Sequence, residues 1–121
     1  MKLLIVDDSN IMRRAIEKYV GDFNLEIIGT AGDGETGLEI FKRHRPELVT
    51  LDITMPRMDG LSCLKKIMEI APSTLVIIIS ALKDPGTNLK AIKLGAKGFL
   101  FKPFTKEQLK EELSHILEGK I

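Results

Sequence analysis

Near its start the chain runs Lys2-Leu3-Leu4-Ile5-Val6-Asp7-Asp8-Ser9. Four apolar residues run without a polar interruption and stop abruptly at two carboxylates. So short and uniformly apolar a run suits a strand covered on both faces, as in a parallel sheet. Past Ser9, the residues Met12, Ala15, Ile16, Tyr19 and Val20 recur on one helical face, and Gly21 reads as a stop. A buried strand followed by a one-faced helix is the first half of a βαβ unit.

The same alternation continues to the end of the chain. Residues 25–28, 48–51, 75–79 and 99–101 form further short apolar runs rich in β-branched or aromatic side chains. Glu26 interrupts the second run, which predicts an edge strand. Leu38 and Phe41 mark a second helix, closed before Pro46. Asp59-Gly60 opens a third, which turns Leu61, Leu64, Ile67 and Met68 to one side and has Pro72 beyond its end. Pro85 suits the first position of a fourth helix and Gly95 its C′ position. Thr105 with Gln108 reads as a capping box for a fifth, which buries Leu109, Leu113, Ile116 and Leu117. Five strand–helix units predict an α/β fold: a five-stranded parallel sheet with helices on both faces, spanning 1–121 as one domain.

Composition narrows the function classes. With 18 basic and 17 acidic residues the formal net charge is +1, which argues against broad electrostatic binding to nucleic acid. An apolar content of 44% argues against disorder. The lone Cys63 excludes an internal disulfide framework and fits a reducing compartment. The first apolar run is too short for a signal peptide, and no window approaches a membrane span. The expectation is a soluble, cytoplasmic protein without membrane insertion.

The polar residues at the strand ends carry the chemistry. Asp7 and Asp8 end the first strand, Asp52 the third, Ser80 the fourth and Lys102 the fifth. Ligands of open α/β sheets bind outside the carboxyl ends of the strands. Taken singly, Asp8 and Ser80 are ordinary cap residues and Lys102 an ordinary surface charge. Taken together, three carboxylates crowd one place, and a hard divalent cation relieves their repulsion. A carboxylate can also act as a nucleophile and form an aspartyl phosphate, with a lysine and a hydroxyl holding the phosphoryl oxygens. The set is complete for phosphoryl transfer.

In this order and spacing the chain resembles the response-regulator receiver domains along its whole length. The likeness rests on Leu4-Ile5-Val6-Asp7-Asp8-Ser9, on Asp52-Ile53-Thr54-Met55-Pro56 with Met58-Asp59-Gly60, on Ser80-Ala81, and on Gly95-Ala96-Lys97-Gly98-Phe99 leading into Lys102-Pro103-Phe104. The general likeness is to stand-alone receivers of the chemotaxis type. It implies a flavodoxin-like strand order 2-1-3-4-5. It implies phosphorylation of Asp52 by a sensor histidine kinase. It further implies Mg²⁺, with Mn²⁺ as a substitute, on Asp8 and Asp52, with Asp7 acting through water and the Thr54 backbone carbonyl adding an oxygen. Lys102 and Ser80 would hold the phosphoryl group, and Phe99 would follow Ser80 inward as a switch. The bond before Pro103 is often cis in such proteins.

Implied partners are the kinase, a phosphatase, and a downstream protein such as a flagellar motor switch protein, the regulator being a monomer or a phosphorylation-dependent dimer. The output face of such proteins lies on the fourth helix, fifth strand and fifth helix, where this chain offers Lys90, Lys93, Lys97, Phe101 and Lys106. Those lysines equally suit a plain solvated surface, and Phe101 equally suits the core. Leu82, two residues after Ser80, cannot orient an attacking water, which predicts slow self-dephosphorylation.

Other readings compete. A phosphorelay intermediate or a phosphate sink uses the same residues. A small phosphatase of haloacid-dehalogenase type also forms an aspartyl phosphate, but from an Asp-x-Asp motif after the first strand; here Asp7 and Asp8 are adjacent. A flavodoxin-like cofactor binder needs a phosphate-welcoming first loop, and this loop begins with two carboxylates. A degenerate receiver lacks one of the key groups, and all five are present. His44 and His115 read as surface residues, and Cys63 as a packed helix residue.

Overall fold

A computed structural model describes residues 1–53, 59–81 and 85–119. Five strands alternate with five helices: β1 (Lys2–Val6), α1 (Asn10–Tyr19), β2 (Glu26–Ala31), α2 (Gly34–His44), β3 (Leu48–Asp52), α3 (Gly60–Ile70), β4 (Leu75–Ser80), α4 (Pro85–Leu94), β5 (Gly98–Phe101) and α5 (Lys106–Gly119). All strand pairs are parallel and the order is β2-β1-β3-β4-β5, as expected. β2 is indeed an edge, with Glu26 exposed.

Successive strand side chains alternate between two cores. On one face Leu4, Val6, Val49, Leu51, Val76 and Ile78 meet Leu38 and Phe41 of α2, Leu64 and Ile67 of α3 and Ala91 of α4. On the other, Leu3, Ile5, Leu48, Ile77 and Ile79 meet Ile16 of α1 and Leu109, Leu113 and Ile116 of α5. β3 and β4 are buried at every residue, which is why they read as unbroken apolar runs.

The helix starts are held by their expected caps. Ser9 Oγ accepts from Met12 N–H, and Asp59 Oδ1 accepts from Ser62 N–H. Thr105 and Gln108 make both bonds of the capping box. Gly95 takes a positive φ of 116° just after α4.

Two expectations need correction. α1 ends just before Gly21, but without a left-handed glycine: Val20 caps it and the chain leaves through a 3₁₀ turn over Val20–Asp22. The second strand starts at Glu26 and continues to Ala31, three residues past its apolar run. Its register against β1 slips between Leu3 and Leu4, so that Leu3 faces Ile27 and Leu4 faces Gly29.

Candidate functional site

The register of the sheet builds the site. Val6 pairs with Leu51, so the next residues, Asp7 and Asp52, emerge side by side. Asp52 pairs in turn with Ile79, which brings Ser80 to the same edge, and Ser80 pairs with Phe101, just before Lys102. Four strands therefore converge at their carboxyl ends. Asp7, Asp52 and Ser80 are almost wholly buried, whereas Asp8 is exposed.

One oxygen from each of Asp7, Asp8 and Asp52 can be chosen so that all three lie within 4.8 Å of one another. The Lys102 ammonium spans the two buried carboxylates, 3.0 Å from Asp7 Oδ2 and 3.2 Å from Asp52 Oδ2. Burial pushes the Asp7 carboxyl above its ordinary range, although the Ser9 N–H, at 2.9 Å, and Lys102 both pull it down. Burial works against the Lys102 charge as well, but the Asp7 and Asp52 carboxylates outweigh it and hold the ammonium more firmly protonated than usual. Among the described residues, one ammonium thus faces the three carboxylates.

That charge imbalance fits a divalent cation. Asp7 Oδ2, although close to Lys102, accepts no hydrogen bond with acceptable geometry among the described residues, and a buried acceptor left so is costly. The donor set is all oxygen, the preference of Mg²⁺. Oxygens around an octahedral Mg²⁺ lie about 3–4 Å apart, so the carboxylates need only a small approach. Asp8, exposed, opens the cluster to solvent.

Two residues support the site in ways the sequence did not assign to them. Arg13, on α1, donates from Nη1 to the Asp7 carbonyl at 2.5 Å and from Nη2 to Asn10 Oδ1 at 2.6 Å. It therefore fixes the loop that carries Asp7 and Asp8. Gly60, read as a helix opener and as part of the Met58-Asp59-Gly60 stretch, lets the first turn of α3 press on the end of β3. A Cβ there would collide with the Asp52 carbonyl and the Ile53 backbone.

The remaining site candidates fall into place unevenly. Ser80 is buried, and its carbonyl accepts from Lys102 N–H at 2.8 Å. Phe99 is half-buried against the α2–α3–α4 core. Its ring sits 5.2 Å from that of Phe101, which is 37% exposed and so not a core residue. The Lys102–Pro103 peptide is cis. Thr54 and Leu82 lie outside the described residues.

The expected lysine surface is divided. Lys90 and Lys93 face α3, Lys97 lines a separate hollow with Phe99, and Lys106 pairs with Asp22 at 3.6 Å beside the end of α1. His44 and His115 are exposed, and Cys63 is fully buried. Among the described residues, no helix is long and apolar enough to cross a membrane.

Comparison with known proteins agrees with this geometry. The chain is 47% identical over 116 residues to the chemotaxis protein CheY of Listeria monocytogenes, covering 93% of this chain and 95% of that one. It is 37% identical over 115 residues to CheY of Thermotoga maritima, covering 95% and 96%. Among solved structures, the CheX–CheY–BeF₃–Mg²⁺ complex from Borrelia burgdorferi contains a chain that superposes with a TM-score of 0.93. The identity there is 36%, and the match covers 97% of this chain and 89% of that one. Residues 3–114 match the response regulator receiver domain. A parallel sheet that gathers an acidic trio and a lysine at its strand ends, together with these likenesses, makes the chain a member of the response regulator receiver family, of the CheY-like kind that serves two-component signalling.

Proposed function

We propose that this receiver is a phosphorylation-driven binding switch whose phosphoacceptor is Asp52. The observation that carries the reading is the Lys102 ammonium bridging buried Asp7 and Asp52 while Asp8 stands open to solvent. A sensor histidine kinase supplies the phosphoryl group from a phosphohistidine. An Asp52 carboxylate oxygen attacks phosphorus, the P–N bond breaks, and the histidine nitrogen keeps the electron pair. Lys102 and Ser80 then hold phosphoryl oxygens, and Lys102 supplies the charge that the incoming phosphoryl group needs.

Asp8 and Asp52, with Asp7 through water and the Thr54 carbonyl, are the residues that would hold Mg²⁺ or, in its place, Mn²⁺. When bound, the ion neutralises charge on the transferring group and aligns it for in-line displacement. The Mg²⁺ and BeF₃ of the Borrelia complex support that choice.

Phosphorylation draws Ser80 toward the new group, and Phe99, close to the rim of the sheet, moves into the space released. Two states of this pair bias partner binding. The protein thus assists its own phosphorylation and dephosphorylation rather than turning over a substrate. Its partners are the kinase, a phosphatase and a target protein, such as a flagellar motor switch protein. CheX in the Borrelia complex supports a protein partner for this chain too. It works in the cytoplasm, as a monomer or a phosphorylation-dependent dimer.

Asp52→Asn tests the assignment. Incubated with Mg²⁺ and acetyl phosphate, the wild type should gain one phosphoryl group and the variant none, with circular dichroism unchanged. Full phosphorylation of the variant would overturn the role of Asp52.

A further inference from the structure

Between α3 and α4 runs a groove of about 390 Å³ lined by Leu61, Ser62, Lys65, Lys90, Lys93 and Leu94. Leu61 and Leu94 form an apolar floor that continues into the core. Three lysines line it, and no carboxylate lines it among the described residues. That is a strong local excess of positive charge on a chain whose net charge is only +1. The hollow shared by Ile92, Lys97, Phe99 and Glu112 is separate, on the α5 side of α4.

Close contacts flank the groove at the start of α3 and the end of α4. At the start of α3, Gly60 presses against the end of β3, where a side chain would strike backbone. At the end of α4, Gly95 closes on α3, where a Cβ would lie 2.8 Å from Met68 Sδ.

We propose that this groove docks an acidic amphipathic segment of a partner protein. One apolar side chain enters between Leu61 and Leu94, and carboxylates on either side of it meet Lys65, Lys90 and Lys93. Three positive side chains on one groove favour such a partner by charge complementarity. The apolar floor selects a peptide over a bare inorganic anion, which has nothing to bury there.

The test uses unphosphorylated full-length protein, so its outcome is independent of the role of Asp52. The probe is a synthetic helical peptide with Leu and Glu on one face, beside a scrambled peptide of the same composition. Amide shifts in ¹⁵N spectra should concentrate at Leu61, Ser62, Lys65, Lys90, Lys93 and Leu94. The doubly charge-reversed variant Lys65→Glu/Lys93→Glu, whose sites are exposed, should keep its circular dichroism and weaken binding by about tenfold or more. Added salt should weaken wild-type binding in the same direction. Shifts centred on Ile92, Lys97 and Phe99, equal binding of the scrambled peptide, or unchanged affinity in the variant would each overturn the proposal. So would concentration-dependent self-association abolished by the same charge reversal, which would assign the groove to a second copy of this chain.

Discussion

Lys102→Met keeps the aliphatic stem and removes the ammonium that lies 3.0 Å from Asp7 and 3.2 Å from Asp52. At an effective dielectric of about 20, contacts of that length carry about 5 kcal/mol each. Both carboxylates are only 1% exposed, so the variant leaves two buried negative charges facing one another. Over the 4.8 Å that bounds the acidic trio, their repulsion is about 3.5 kcal/mol at the same dielectric. Water entry and proton uptake absorb part of this cost. The expected loss is therefore about 3–5 kcal/mol at about pH 7.5, the range for breaking a buried pair.

Urea unfolding in the absence of divalent metal measures it. With a slope of about 2 kcal/mol per M, the midpoint should fall by about 2 M. The pH dependence has a definite sign. The Asp7 carboxyl already titrates above its ordinary 3.8, and loss of Lys102 raises it further. Above 3.8 the folded variant then binds more protons than the unfolded chain, so its stability increases as the pH falls into that window. The penalty should be smaller near about pH 5 than at about pH 7.5. A loss below about 1 kcal/mol, the level of an exposed pair, would show that Lys102 does not neutralise a buried carboxylate pair. So would a penalty that does not shrink on acidification.

Gly60→Ala should cost about 1–3 kcal/mol in thermal unfolding and slow phosphorylation, because the added methyl forces α3 off the end of β3. Equal stability to wild type would contradict that contact. Thr50→Val should stabilise by about 1 kcal/mol, since the buried Thr50 hydroxyl lacks a hydrogen-bond partner among the described residues. A lower melting temperature would count against it. The Cys63 thiol is buried and its pKa is pushed up to about 11, with the Asp59 charge adding to the effect of burial. Iodoacetamide at about pH 8 should therefore label it only as the chain unfolds, and rapid labelling of the native protein would show otherwise.

Much of this was legible in the sequence because burial on both faces writes itself as an apolar run. β3 and β4 are covered from both sides, so their runs end near where the site begins, at Asp52 and Ser80. Caps were legible for a related reason: Ser9, Asp59 and the Thr105–Gln108 pair satisfy backbone groups a few residues away. What escaped depends on distant parts of the chain. The last three residues of β2, Gly29-Thr30-Ala31, are held by pairing with β1, and main-chain bonds leave no apolar pattern. Lys90 and Lys93 turned toward α3 because of how α4 is rolled on the sheet, which composition does not reveal. Gly60 and Arg13 support the site only through the close approach of α3 to β3 and of α1 to the first loop. A glycine beside a cap and an arginine six residues after Asp7 were the only traces of those roles.

The most direct measurement locates the phosphoryl group. Protein phosphorylated with Mg²⁺ present is reduced with borohydride, which converts an aspartyl phosphate to homoserine, and is then sequenced by mass spectrometry. Homoserine is expected at position 52, with no conversion when Mg²⁺ is chelated beforehand. Conversion at Asp7 or Asp8, or undiminished conversion without the metal, would contradict Mg²⁺-dependent transfer to Asp52.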